Sequence, residues 1–230
     1  MEGMRYRIER TRNRTSRAVL REGMALIRLA RGLGADEEHR HTQTLLRRMA
    51  KLYAREATKA RIDPFGPLFR GTDTVHIDLA TGSLVSFRVQ DGRRTKAMRV
   101  AGGWTVLRGL TTDDRTFRRY LWKLLSQSAQ EETDALVRCI NAETFKVHVS
   151  EVTVKYMRSR WGSCSTHGVI ALSTPLLLTS PEILRYVIIH ELAHRIRQDH
   201  SEKFWKCVAL YEPTYKEIVR KLRNYTLPSR

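Results

Sequence analysis

The run His190-Glu191-Leu192-Ala193-His194 places two imidazoles one helical turn apart on a single face, where both can bind one Zn²⁺. Glu191 lies about 100° round the helix from His190, close enough to act as base on a metal-bound water without filling a coordination position. A catalytic zinc takes a third protein ligand and keeps one position open, and His200 is the candidate ligand. A straight helix would carry His200 about 9 Å further along the axis than His194, so the chain must leave the helix and turn back within residues 195–199. Asp199 tolerates such a turn, and Ser201 can restart a helix. Two alternatives stand beside this reading. One is a glutamate ligand, with only Glu202, Glu212 and Glu217 to draw on and none easy to place; the other is a His200 that is simply hydrogen-bonded.

The elements that must position these residues are written in the local pattern. Ser180-Pro181-Glu182 combines a hydroxyl N-cap, a proline at N1 and a carboxylate in the first turn, which predicts a helix running to about Ile196. Upstream, Val152, Val154 and Tyr156 alternate with Thr153 and Lys155, and Gly168–Leu172 is a second β-prone run; the two are expected to form a hairpin. After Ser201 a helical region reaches toward Arg223, broken near Pro213. Thr111 and Asp114 resemble a capping box before a long amphipathic helix, or a broken pair, over about 112–142. Turn residues at Thr81-Gly82, Asp91-Gly92 and Gly102-Gly103 separate short β-prone runs between 74 and 108, which reads as a β-meander. Residues 5–30 read as two or three short antiparallel strands rich in arginine, followed by a helix over about 36–61 that opens on Asp36-Glu37-Glu38. The expected fold class is α+β. It comprises a basic sheet and helix over 1–63, a meander over 64–110, and a zincin-like catalytic domain of hairpin plus HExxH helix over 111–230.

Four segments together resemble a known family: Arg158-Ser-Arg160-Trp161-Gly162-Ser163-Cys164-Ser165, Gly168-Val-Ile-Ala-Leu172, Tyr186-Val-Ile-Ile-His190-Glu-Leu-Ala-His194, and Asp199-His200-Ser201 with Phe204-Trp205. They resemble the YgjP-like metallopeptidases, relatives of the SprT-like group, most strongly over residues 152–223, while residues 66–110 add nothing to the likeness. The resemblance implies that His190, His194 and His200 hold one zinc ion and that Glu191 is catalytic. The His194–His200 spacing also matches the metzincins, but Arg197 stands where their glycine falls and no Met-turn follows, so that group is set aside.

Within the first segment, Trp161 reads as a core side chain, Gly162 as a turn or bulge and Cys164 as a small buried residue. Arg160 is the candidate for stabilising an oxyanion or touching substrate. His148 and His167 flank the strands, whereas His39, His41 and His76 have no metal spacing. Forty-two Lys and Arg against 24 Asp and Glu give +18, spread along the chain without a separate basic tail, which keeps a polyanionic partner in view. Arg10, Arg12 and Arg14 are the candidate nucleic-acid contacts. Three separated cysteines point to no disulfide framework and to a cytoplasmic setting, and no apolar run is long enough for a membrane helix. The expected function is hydrolysis of a protein or peptide substrate by Glu-assisted attack of zinc-bound water. The alternatives are a nucleic-acid-associated protein with a zinc site, or a protease recruited to DNA or RNA.

Overall fold

The computed structural model describes residues 5–21, 24–57 and 60–227, and the chain divides into two compact units, Met1–Ala60 with Ser229–Arg230 and Arg61–Pro228. In the first unit, strands β1 (Arg5–Arg10), β2 (Arg17–Arg21) and β3 (Met24–Leu29) form a sheet in the order β1-β3-β2, and helix α1 (Ala35–Ala57) packs on β2 and β3. The expected all-antiparallel arrangement is corrected, because β1 runs parallel to β3 and only β2 is antiparallel. Ala25, Ile27 and Leu29 are buried on alternate positions of β3, so the strand with the apolar row takes the centre and arginine-rich β1 takes an edge.

Among the described residues, the second unit builds a four-stranded sheet, a three-stranded sheet and four α-helices around one core. Strands β4 (Thr74–Asp78), β5 (Leu84–Gly92), β6 (Lys96–Val100) and β7 (Gly103–Gly109) make a sheet in the order β4-β5-β7-β6. This is not the expected meander, since β7 pairs in parallel with β5 and antiparallel with β6, which it separates from β5. The physical reason sits at Gly103, opposite Ser86. A β-carbon on Gly103 would lie 1.9 Å from the Ser86 carbonyl oxygen, so the β5–β7 approach exists only because that residue has no side chain.

Helix α2 (Asp114–Glu143) is one unbroken element. Its N-cap is Asp113, whose carboxylate accepts from the Thr116 N–H at 3.0 Å, and not the Thr111 and Asp114 of the expected box. Phe117, Leu121, Leu125 and Trp122 of α2 are buried, and Phe65 stands edge-on to Phe87 of β5 and to Trp122 at 5.2 and 5.4 Å, so α2 and the four-stranded sheet share one core.

The second sheet carries strands β8 (Glu151–Lys155), β9 (Gly162–Cys164) and β10 (Val169–Ser173) in the order β9-β10-β8. The expected hairpin between 152–158 and 168–172 is corrected here as well. β8 and β10 are parallel, and the antiparallel partner of β10 is β9, built from the Gly162-Ser163-Cys164 segment. Helix α3 (Pro181–Ala193) packs on β9, β10 and α2 and against α4 (Glu202–Tyr211) and α5 (Tyr215–Leu222). Ile183, Leu184, Tyr186, Val187, Ile188, Ile189, Leu192 and Ala193 are all buried, as befits a helix that is apolar on every side. Among the described residues, no helix is long and apolar enough to cross a membrane.

Candidate metal centre

Helix α3 ends earlier than its pattern suggests, at Ala193, with His194 as C-cap. Residues 194–196 then tighten into a turn in which Arg195 N–H and Ile196 N–H donate to the carbonyls of Leu192 and Ala193, and the Gln198 side chain donates to the His194 carbonyl at 2.8 Å. Asp199 accepts from the Ser201 N–H at 3.1 Å, and α4 starts at once. The reversal returns His200 to the first two imidazoles, with its Nε2 3.2 Å from Nε2 of His190.

One ring nitrogen from each of His190, His194 and His200 lies within 4.8 Å of the others. Three imidazoles around a tetrahedral zinc would hold their nitrogens about 3.3 Å apart, given Zn–N distances near 2.05 Å, so the cluster needs only small side-chain shifts to fit that ion. The protonation state fits too. Burial first, then the neighbouring His194 and His200, push the His190 imidazole down to about 4, and burial chiefly lowers His194, so both are neutral donors at neutral pH. His194 Nδ1 lies 3.0 Å from the Arg197 carbonyl, a contact that holds its proton on that side and leaves Nε2 free to coordinate. His190 Nδ1 is buried without a partner. Phe204, fully buried on α4, sets its ring 4.9, 4.6 and 4.9 Å from His190, His194 and His200 and forms the wall against which all three rest.

Glu191 points from α3 toward β9. It is 5% exposed, and burial raises its carboxyl to about 7 against the opposing pull of the Arg160 guanidinium. Room for it exists because Gly162 is a glycine: a β-carbon there would lie 2.6 Å from Glu191 Oε1 and 2.8 Å from its Cγ. Gly162 is therefore neither the expected turn nor a bulge but a strand residue that clears the carboxylate. Arg160 is exposed on the segment leading into β9, close enough for its charge to act on Glu191.

Sequence reasoning missed Arg195. Its guanidinium donates to the carbonyls of His148, Ser165 and Thr166 at 3.1, 3.2 and 2.7 Å, tying the turn between β9 and β10 to the end of α3. Only its place directly after the second histidine could have drawn attention to it. None of the other flagged residues is a member of the cluster. His148 contributes a carbonyl and not its ring, His167 is exposed, and His39, His41 and His76 bond to Gln43, Ser16 and Ser86. Cys164 is half-buried, and burial raises its thiol. Arg10 is held by two bonds to Glu38 at 2.9 and 2.7 Å, while Arg12 and Arg14 are exposed.

Comparison with known proteins adds the following. Two solved structures are similar to part of the chain. The metallopeptidase zymogen of Pyrococcus abyssi abylysin is 26% identical with a TM-score of 0.36, covering 39% of this chain and 91% of its own. The metallopeptidase zymogen of Methanocaldococcus jannaschii jannalysin is 23% identical with a TM-score of 0.36, covering 39% of this chain and 92% of its own. No curated protein matches. The YgjP-like, metallopeptidase domain family matches residues 39–225, a span that takes in most of α1 and also the four-stranded sheet, where the sequence alone suggests no likeness. With the three imidazoles, the buried glutamate and most of its length inside that match, the chain belongs to the YgjP-like family of metallopeptidases.

Proposed function

We propose that the protein is a zinc-dependent peptidase in which His190, His194 and His200 hold one ion per chain and Glu191 is the general base. The observation that carries this reading is the convergence of three imidazoles beside a carboxylate that is 5% exposed and kept clear by Gly162. Bound there, zinc supplies a Lewis acid that polarises the peptide carbonyl and makes water nucleophilic near neutral pH. Glu191 accepts the proton from the attacking water and passes it to the leaving amine, a role that burial of the carboxylate suits. Arg160, exposed and close enough for its charge to act on Glu191, stabilises the oxyanion or holds the substrate in this reading. Phe204 and the Arg197 carbonyl brace the imidazoles that would hold the ion. Three free thiols suit the cytoplasmic setting expected from cysteine usage. Arg10, engaged by Glu38, gives the nucleic-acid reading no support of its own.

The test is Glu191→Gln in zinc-loaded protein, assayed on an unfolded casein-like substrate. The amide keeps the shape but cannot take a proton, so turnover should fall by about 10²-fold or more while one equivalent of zinc per chain is retained. Unchanged turnover sinks the mechanism.

A further inference from the structure

Gln130 of α2 covers the edge of β8 that faces away from β10, donating to the Val152 carbonyl at 2.7 Å and accepting from the Val154 N–H at 2.8 Å. Alongside that contact, α2 and the end of β8 bound an open cavity of about 730 Å³. Arg119 and Lys123 line it from the helix, one turn apart, and Lys155 and Arg158 line it from the strand and the residues after it. All four are exposed, no carboxylate lines the cavity, and none of the four joins an ion pair among the described residues. The other wall is ordered: Tyr156 rests on buried Trp122 with ring centroids 5.0 Å apart, Arg158 sits over Tyr156 at 5.8 Å, and half-buried Tyr120 completes the aromatic lining.

Four like charges around one concavity repel one another, and the field they sum to favours an anionic occupant. The size is that of a pocket for a small ligand or a few side chains. Position selects among anions. Arg158 is four residues from Gly162, which lies against Glu191, so the chain between them spans at most about 14 Å. An extended chain whose reacting bond lies at Glu191 can place a side chain in the cavity only a few residues away.

We propose that this cavity is a subsite for acidic side chains of the peptide substrate, about two to four residues from the bond that is cut. The assignment rests on the peptidase reading above and adds a substrate class to it. The carboxylates of glutamate or aspartate meet Arg119, Lys123, Lys155 and Arg158, while Tyr120 and Tyr156 pack against the aliphatic stems.

The experiment uses the full-length, zinc-loaded Glu191→Gln protein and fluorescence anisotropy. The probes are a labelled unstructured peptide rich in glutamate and its twin with every Glu replaced by Gln. The Glu peptide should bind about tenfold tighter, as several individually weak exposed ion pairs acting together allow, and the advantage should shrink as salt is raised. The double variants R119Q/K123Q and K155Q/R158Q, on opposite walls, should each remove most of the advantage without moving the affinity for the Gln peptide or the thermal midpoint. Equal affinity for the two peptides, or an advantage that survives in both double variants, overturns the proposal. So does displacement of the Glu peptide by a single-stranded oligonucleotide of equal charge at lower concentration, which would hand the cavity to nucleic acid. Cleavage of the same peptides by the Glu191-containing enzyme separates the two readings. A cavity preference without any cleavage keeps the cavity as a binding site for acidic peptide but sinks the peptidase reading and with it the role as a substrate subsite, whereas cleavage with equal kcat/KM for the two peptides sinks the subsite and leaves the peptidase.

Discussion

At the scale of single residues, the contact between Gly162 and Glu191 is the most demanding in the site. The carboxylate is withdrawn from water and raised to about 7, and its oxygen occupies space that any β-carbon at position 162 would take. Gly162→Ala must therefore push Glu191 aside by a substantial part of an ångström. The histidines lie on other faces and touch Phe204, not Gly162, so metal binding is spared. The expected outcome is a peptidase activity lowered about 10²-fold with full zinc content, because displacement of a reacting group by about 1 Å has an effect of that size. Steady-state kinetics beside metal analysis checks it; a variant as active as the parent would show that the carboxylate has slack the geometry does not suggest.

At the scale of elements, the three-stranded sheet survives on unequal edges. β9 is three residues long and meets α3, whereas β8 is an edge strand closed by a side chain, the Gln130 amide standing in for a neighbouring strand. Gln130→Ala frees one buried-strand N–H and one carbonyl. The adjoining cavity admits water to them, which places the loss near the low end of the range for unmade hydrogen bonds, about 1 kcal/mol. A chain of this size should then melt roughly 2–4 °C lower, measurable by circular dichroism, with zinc content unchanged. A drop of about 10 °C or more would mean that the amide holds α2 against β8 by more than its own two bonds.

At the scale of the whole molecule, the site couples three elements of the second unit: α3 supplies two imidazoles, the turn before α4 the third, and α4 the Phe204 wall. Metal that binds only when all three are in place stabilises the folded state by mass action, about 2.7 kcal/mol at free zinc one hundred times Kd. Zinc should therefore raise the thermal midpoint of apo-protein by roughly 5–10 °C, and chelator should reverse the shift. His200→Ala should abolish most of this gain. If the variant gained as much as the parent, His200 would not be a ligand.

What the sequence determined by itself was mostly local. Two histidines at helical spacing, a strong helix start at Ser180-Pro181 and an Asp-His-Ser turn are short-range patterns, and they led to the His190, His194 and His200 cluster and to the reversal that brings the third imidazole back. Tertiary structure decided which strands pair, because period-two alternation marks a strand but says nothing of its neighbour or direction. It thus set β8 parallel to β10, made β9 out of Gly162-Ser163-Cys164, and interposed β7 between β5 and β6 through the side-chain-free approach at Gly103. It also decided everything that depends on juxtaposition across the chain: the space Gly162 leaves for Glu191, the grip of Arg195 on three distant carbonyls, and the gathering of Arg119, Lys123, Lys155 and Arg158 around one cavity. Each of those contacts joins residues on separate elements, and their meeting is fixed by how the elements pack and not by any spacing along the chain.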